Sequence, residues 1–329
     1  MKAACYETTG PAAEVLRLID LPDPEPGAGE VRVRLQWSGV NPSDVKSRAG
    51  LRNKAMPFAR VVPHSDGAGV IDRVGAGVDA SRVGEPVWVW NAAWGRPNGT
   101  AAQYVTVPAR QAVRLPDGVP PEAGACFGIP ALTALHAVQG WGGVEGRTVL
   151  VAGGAGAVGH YAVQFARLLG ARRVLATVSS EPKARLAREA GAHDVIDYRR
   201  DDVPARVREL TAGQGIDRVV EVDAAANGRL DAELLAPHGE LVLYGSGAAE
   251  FSLPFFPMIL RNATVRCFIV YQLADADRTE AERTLQRLLT ERRLVHQIAE
   301  RLPLSRIVQA HELVESGRAV GNVVLSTEG

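Results

Sequence analysis

Apolar and polar residues alternate along Val31-Arg32-Val33-Arg34-Leu35-Gln36-Trp37, the period of a half-buried strand. Glycine and proline interrupt the chain often up to about residue 118, as at Pro22, Pro24, Pro26, Gly27 and Gly29 and again at Gly67, Gly69, Gly75 and Gly77. Short strands between frequent turns predict a small β-rich barrel or sandwich. The pattern changes near Pro120. The run Arg147–Ala152 predicts a strand, and Val158, Ala162, Phe165 and Leu169 then recur at helical spacing before Gly170. Further strands are predicted at Arg173–Val178, Val195–Tyr198, Arg218–Val222 and Glu240–Tyr244. Ser180 stands as an N-cap, Pro182 lies in the first helical turn and Gly191 marks a helix stop. Strands alternating with helices predict a parallel sheet with right-handed crossovers. A last strand at Val265–Tyr271, a charged helix at about Arg278–Arg293 and a closing strand at Asn322–Ser326 complete the reading.

Gly154-Ala155-Gly156-Ala157-Val158-Gly159 matches G-x-G-x-x-G where a predicted strand gives way to a predicted helix. That context makes it a dinucleotide site: glycine lets the backbone turn tightly and approach a pyrophosphate, and the helix N-terminus holds the anion. An NAD site carries an acid at the tip of the second strand to bind the ribose 2′-hydroxyl. This chain has Ser179 and Ser180 there, with Lys183 one turn on. Hydroxyls and an ammonium suit a 2′-phosphate, so NADPH is expected, on condition that Glu181 points to solvent.

Composition excludes other classes. The 329 residues fit about two domains. Lys plus Arg and Asp plus Glu are 37 each, so no net positive charge points to nucleic acid. Cys5, Cys126 and Cys267 form no CxxC pair, which fits a reducing compartment. Met1–Glu7 lacks the apolar segment of a signal peptide, and no apolar run reaches membrane-helix length, so a cytoplasmic protein is expected.

Several segments in order carry a resemblance: Ser38-Gly39-Val40-Asn41-Pro42-Ser43-Asp44, Pro63-His64-Ser65-Asp66-Gly67-Ala68-Gly69-Val70, Gly128-Ile129-Pro130-Ala131-Leu132-Thr133-Ala134, the phosphate loop, and Gly321-Asn322-Val323-Val324-Leu325. Over nearly its full length the chain resembles the medium-chain dehydrogenase/reductase superfamily, and within it the quinone oxidoreductase (ζ-crystallin-like) branch. The resemblance implies an α/β protein: a GroES-like β-rich catalytic domain at 1–120 and 263–329 around a Rossmann cofactor domain at 121–262. It also implies a nicotinamide site between the two.

The implied cofactor residues are Asn41 near the nicotinamide, Thr133 at its carboxamide, and the backbone of Gly156, Ala157, Val158 and Gly159 at the pyrophosphate. Ser179, Ser180, Lys183 and Tyr198 surround the 2′-phosphate and adenosine ribose. Gly245, Ser246, Phe268 and Ile269 back the nicotinamide. Asn322 stands where the family has a lysine, removing a charge that helps bind phosphate, and Lys46 stands where it has a tyrosine. Zinc-binding relatives place a cysteine at the position of Asn41 and a third ligand at that of Ile129, leaving only His64 where a ligand histidine would sit. Catalytic zinc needs about three protein ligands, so no metal is expected.

Without a Lewis acid, a quinone or α,β-unsaturated carbonyl is the expected hydride acceptor, because conjugation spreads the incoming charge. Asn41 and Lys46 are the candidate hydrogen-bond donors to that charge. Trp94, in a Gly/Asn-rich loop, is a candidate wall of the acceptor site, whereas Trp88 and Trp90 alternate as strand residues. The alternatives are an enoyl-thioester reductase, a zinc-free alcohol dehydrogenase, or a non-catalytic NADPH-binding protein with a structural or regulatory role. The family implies a homodimer paired through the edge of the Rossmann sheet, with Val265–Tyr271 the most apolar candidate edge.

Overall fold

The computed structural model describes residues 1–51 and 54–328. Its strands, in chain order, are β1 (Lys2–Cys5), β2 (Arg17–Asp20), β3 (Glu30–Val40), β4 (Asp66–Val74), β5 (Pro86–Val89), β6 (Tyr104–Pro108), β7 (Ala112–Arg114), β8 (Thr148–Val151), β9 (Arg173–Val178), β10 (Asp194–Asp197), β11 (Ile216–Glu221), β12 (Leu235–Leu243), β13 (Thr264–Cys267), β14 (Ile298–Pro303) and β15 (Asn322–Ser326). The chain divides into two compact units, Met1–Pro130 with Gln286–Gly329, and Ala131–Leu285. No helix among the described residues is long and apolar enough to cross a membrane.

In the first unit the sheet order is β14-β15-β3-β4-β5-β7, with β6 paired to β3. The alternation seen from Val31 to Trp37 is the middle of β3. Its register against β4 shifts between Arg32 and Val33 and again between Leu35 and Trp37. Such irregularities bend a strand and raise its twist, which suits one long strand pairing β4, β6 and β15. Val31, Val33 and Leu35 turn inward against Ile71, Val87 and Val105. Trp88 and Trp90 are both buried, Trp88 standing edge-on to Phe127 at 5.9 Å, while Trp94 is 41% exposed.

The second unit holds six parallel strands in the order β10-β9-β8-β11-β12-β13. This is the doubly wound dinucleotide-binding order, whose ligand crevice opens at the carboxyl ends of the first and fourth strands, here β8 and β11. β8 is buried at all four positions, as expected of a central parallel strand covered on both faces. One charge lies inside. Arg218 is fully buried and donates to Glu240 Oε2 and to the carbonyls of Val138 (2.8 Å) and Gly140 (2.9 Å). These partners satisfy a guanidinium that would otherwise be costly to desolvate, and they fasten the end of the helix Leu132–Gln139 to the sheet.

The expected domain boundaries move. The division falls after Pro130 and after Leu285, not at 120 and 262. The boundary at 262 puts the apolar run at Val265 in the first domain, while the dimer expectation makes it an edge of the Rossmann sheet. It is β13, at the edge of that sheet, paired in parallel with β12 from Glu240↔Thr264 to Leu243↔Cys267. It also stops at Cys267, short of the expected Tyr271, and a 3₁₀ turn follows at Val270–Gln272.

Candidate functional site

β8 runs into the glycine loop, where Gly153 takes φ +65°. Gly153 N donates to Thr177 Oγ1 (3.2 Å) and Gly154 N to the Thr177 carbonyl (3.0 Å), so β9 pins the turn. A Cβ on Gly154 would lie 2.6 Å from the Ala176 Cβ, and one on Gly159 only 2.1 Å from the Gly153 carbonyl oxygen. Gly156 is the N-cap of the helix Ala157–Leu168 and has no side chain to fill it. The first amides of that helix, Ala157, Val158 and Gly159 among them, lack intrahelical acceptors and carry the positive end of the dipole. The loop therefore presents free amides and the positive end of a dipole, chemistry that suits an anion, and at Gly159 a side chain would collide with backbone.

At the tip of β9, Lys183 Nζ donates to Ser179 Oγ at 3.1 Å. Tyr198 follows β10, its N–H donating to the Val178 carbonyl (3.1 Å) and its side chain 53% exposed. Ser179, Lys183 and Tyr198 are thus gathered at one corner of the sheet. Glu181 is exposed to solvent and paired with Arg188 at 2.9 Å. Ser180 is the N-cap residue by position, but its side chain makes no capping bond. The expectation of a capping hydroxyl is corrected here.

Gly245 and Phe268 follow β12 and β13, which are neighbours. A Cβ on Gly245 would lie 2.2 Å from the Val222 carbonyl oxygen, so only glycine allows this approach. Ser246 Oγ donates to the Ala248 carbonyl at 2.7 Å. Phe268 N donates to the Leu243 carbonyl, and its ring packs edge-on against His136 at 4.8 Å. Ile269 is half-buried beside it, and Thr133 is 5% exposed in the first turn of the helix Leu132–Gln139.

In the first unit, β3 ends at Val40, and Asn41 caps the helix Pro42–Arg48 in a capping box with Asp44, whose Oδ2 accepts the Asn41 N–H at 2.9 Å. Asn41 Nδ2 donates to Asp66 Oδ2 (3.0 Å), which also accepts the Ile129 N–H (3.0 Å). With its oxygen engaged by the helix and one amide hydrogen by Asp66, Asn41 retains one amide hydrogen to offer. Asp66, not singled out from the sequence, is the residue that orients Asn41. The only sequence signal is an acid inside the apolar, glycine-rich run at 66–71. Lys46 sits half-buried on the Asn41-capped helix. Asn322 is drawn into the sheet: it is 6% exposed, and its Nδ2 donates to the Gln297 carbonyl at 3.1 Å.

His64 belongs to a buried chain that sequence reasoning missed. Thr100 Oγ1 donates to the Asp66 carbonyl (2.5 Å), Ser38 Oγ lies 2.9 Å from Thr100 Oγ1 and 2.8 Å from His64 Nδ1, and His64 Nε2 lies 2.9 Å from His311 Nε2. A carbonyl can only accept, so the donors are set in order. Thr100 gives its proton to Asp66, Ser38 gives to Thr100, His64 gives Nδ1–H to Ser38, and His311 gives Nε2–H to His64. His311 Nδ1 is left buried without a partner. Burial pushes the His64 imidazole well below its usual range and takes His311 down to about 3. Both ring nitrogens of His64 are committed, and among the described residues no three His, Cys, Asp or Glu side chains group so as to hold a metal ion. Position 41 offers an amide and position 129 an aliphatic side chain, so these residues do not fit a catalytic zinc.

Residues 27–117 match the family profile of the alcohol dehydrogenase GroES-like domain, and residues 157–290 that of the zinc-binding dehydrogenase. The chain is 31% identical to a quinone oxidoreductase of Lama guanicoe, over 95% of this chain and 93% of that one. Among solved structures it is similar to a mycobacterial protein complexed with NADPH, with TM-score 0.88 and 30% identity over 99% of this chain and 100% of the other. It is also similar to an NAD-dependent alcohol dehydrogenase, with TM-score 0.91 and 32% identity over 99% of both chains.

Proposed function

The chain belongs to the medium-chain dehydrogenase/reductase superfamily, with the quinone oxidoreductases, and from that premise we propose an NADPH-dependent reductase of quinones or α,β-unsaturated carbonyls that works without zinc. The observation that carries this reading is the polar corner at the tip of β9. Lys183 and Ser179 stand there where an NAD site carries an acid, and Glu181 is occupied elsewhere. Tyr198 flanks the same corner. The backbone of Gly156, Ala157, Val158 and Gly159 binds the pyrophosphate, Gly245, Ser246, Phe268 and Ile269 back the nicotinamide, and Thr133 holds its carboxamide.

When bound, NADPH supplies a hydride. Asn41 directs its remaining amide hydrogen at the oxygen on which charge develops, and Asp66 fixes that direction. Lys46 is the second candidate donor. A conjugated acceptor suits a site of this kind because it spreads the charge without a metal. Similarity to an NAD-dependent alcohol dehydrogenase favours a second reading, zinc-free oxidation of a small alcohol with NAD.

Chelator-treated protein mixed with NADPH and 1,4-benzoquinone is expected to lose absorbance at 340 nm faster than with NADH. Lys183→Ala is expected to cut the NADPH preference about 10–100-fold, the loss of one hydrogen bond to a charged group. A wild-type preference for NADH, or turnover restored only by added zinc, overturns the reading; faster NAD reduction with a small alcohol selects the second.

The expected partner is a second copy of the chain. β13 is an edge strand with β12 as its neighbour; its Val265, and Phe255, Phe256, Ile259 and Leu260 in the segment that precedes it, are each 38–79% exposed. An unpaired edge with an apolar flank invites strand pairing. A dimer is expected by light scattering, with Val265→Asp monomeric; a monomeric wild type refutes it.

A further inference from the structure

β11 ends on a carboxyl group without access to water. Glu221 is fully buried, and Asp231, on the following helix Ala224–Leu234, is 3% exposed. Glu221 Oε1 accepts from the Asp223 N–H and from Asn227 Nδ2 at 3.0 Å. Its Oε2 and Asp231 Oδ2 are both buried, and neither finds a donor elsewhere in the molecule. The two carboxyls lie within hydrogen-bonding reach of each other. Two ionised carboxylates only accept; one proton between them satisfies both orphaned oxygens. Burial, and then the charge of Glu221, push Asp231 up to about 9. Tyr244, which follows β12, also feels this charge: burial together with Glu221 keeps its phenol protonated. Among the described residues neither Glu221 nor Asp231 has a cationic partner.

The pair stands under a segment of the proposed cofactor site. The Asp223 N–H rests on Glu221, and Asp223 Oδ1 accepts the Gly247 N–H at 2.7 Å, while the Gly245 carbonyl accepts the Ala224 N–H at 3.1 Å. We propose that Glu221 and Asp231 form a proton-bridged pair that positions the Gly245–Gly247 segment for the nicotinamide end of the cofactor. The positioning role rests on the cofactor reading above; the shared proton does not.

The sign follows from linkage. An acid held protonated by folding takes up a proton the unfolded chain does not bind, so its contribution to stability falls as pH rises from about 4 to about 9 and is level above that. Asparagine at 231 gives the same hydrogen bond to Glu221 without titrating. Denaturant unfolding of the cofactor-free full chain from pH 6 to 10, with NADPH titrations at each pH, tests the pair. The unfolding constant of wild type relative to Asp231→Asn is expected to rise about tenfold per pH unit between pH 6 and 8 and to flatten above 9. Wild-type NADPH affinity is expected to weaken above pH 9 while that of Asp231→Asn stays level, and Glu221→Gln is expected to abolish the pH slope as Asp231→Asn does. A ratio that does not change with pH overturns the shared proton. A sloping ratio beside a level wild-type NADPH affinity overturns the positioning role. Failure of both proteins to bind NADPH at pH 7 removes the cofactor reading and the positioning role with it, while the ratio still decides the pair.

Discussion

Gly159→Ala is expected to lower NADPH affinity by two orders of magnitude or more and to lower the melting temperature as well. Its Cβ would stand 2.1 Å from the Gly153 carbonyl oxygen and 2.8 Å from the Gly153 carbonyl carbon. Both are backbone atoms of the loop itself, which β9 holds by two hydrogen bonds. The clash is relieved only by moving the helix start away from β8, which displaces the amides that bind the anion. Overpacking of this kind costs about 1–3 kcal/mol or more. Gly156→Ala separates the two effects. Its Cβ would meet nothing nearer than the Gly153 oxygen at 3.3 Å, so the fold is retained, yet the methyl would occupy the approach of the pyrophosphate. Isothermal titration with differential scanning calorimetry distinguishes them: Gly156→Ala loses affinity at an unchanged melting temperature, and Gly159→Ala loses both. Wild-type affinity in Gly159→Ala would show that the loop does not bind the nucleotide.

Acid is expected to unfold the protein near the point where its buried histidines must charge. His64, His160 and His311 are each 2% exposed or less, and burial pushes His160 down to about 4 and His311 to about 3, with His64 well below its usual range. The folded state refuses protons that the unfolded chain binds below about pH 6.5. The stabilisation is therefore complete above that pH and is lost as pH falls toward 4. Each group contributes about 1.4 kcal/mol per pH unit in that window. Three together amount to about 4 kcal/mol per unit, enough to exhaust a typical stability of about 5–15 kcal/mol within a few pH units. The Asp231 contribution runs the other way and softens the slope. Guanidinium unfolding at pH 7, 6 and 5 checks this. His311→Gln, whose amide can still donate to His64 Nε2, is expected to remove about one proton from the slope. A wild-type slope that His311→Gln leaves unchanged would mean that the His64–His311 pair is not held neutral.

The parts of the fold legible in the sequence are those written in local spacing. β9, Arg173–Val178, and the last strand, Asn322–Ser326, have the limits read from the residues, and a helix does follow the phosphate loop, starting at Ala157 inside the glycine motif. Backbone conformation and side-chain period act over a few residues, so a short window contains their cause. Ser179 and Lys183 were legible for a related reason, since they stand at the strand tip where the doubly wound order places the adenosine ribose, whereas Tyr198 came from the family resemblance alone. The boundary at 262 failed where local evidence ended. An apolar run at Val265 is equally a strand of either unit, and only its pairing with β12 decides.

Partner choice across long separations was decided by tertiary structure alone. His64 and His311 are 247 residues apart, Asn41 and Asp66 are 25 apart, and Ile129 reaches Asp66 from 63 residues away. Nothing near any of these residues names its partner. Burial converts each polar atom into a demand for one particular donor or acceptor, and packing settles which atom meets that demand. The sequence by itself thus determined the alternation of strands and helices, the glycine loop between β8 and its helix, and the residue types at the strand tips. Which acid orients Asn41, which tautomer His64 adopts and which two carboxyls share a proton follow only once the chain has closed around them, because hydrogen-bond partners and desolvation are properties of the folded interior.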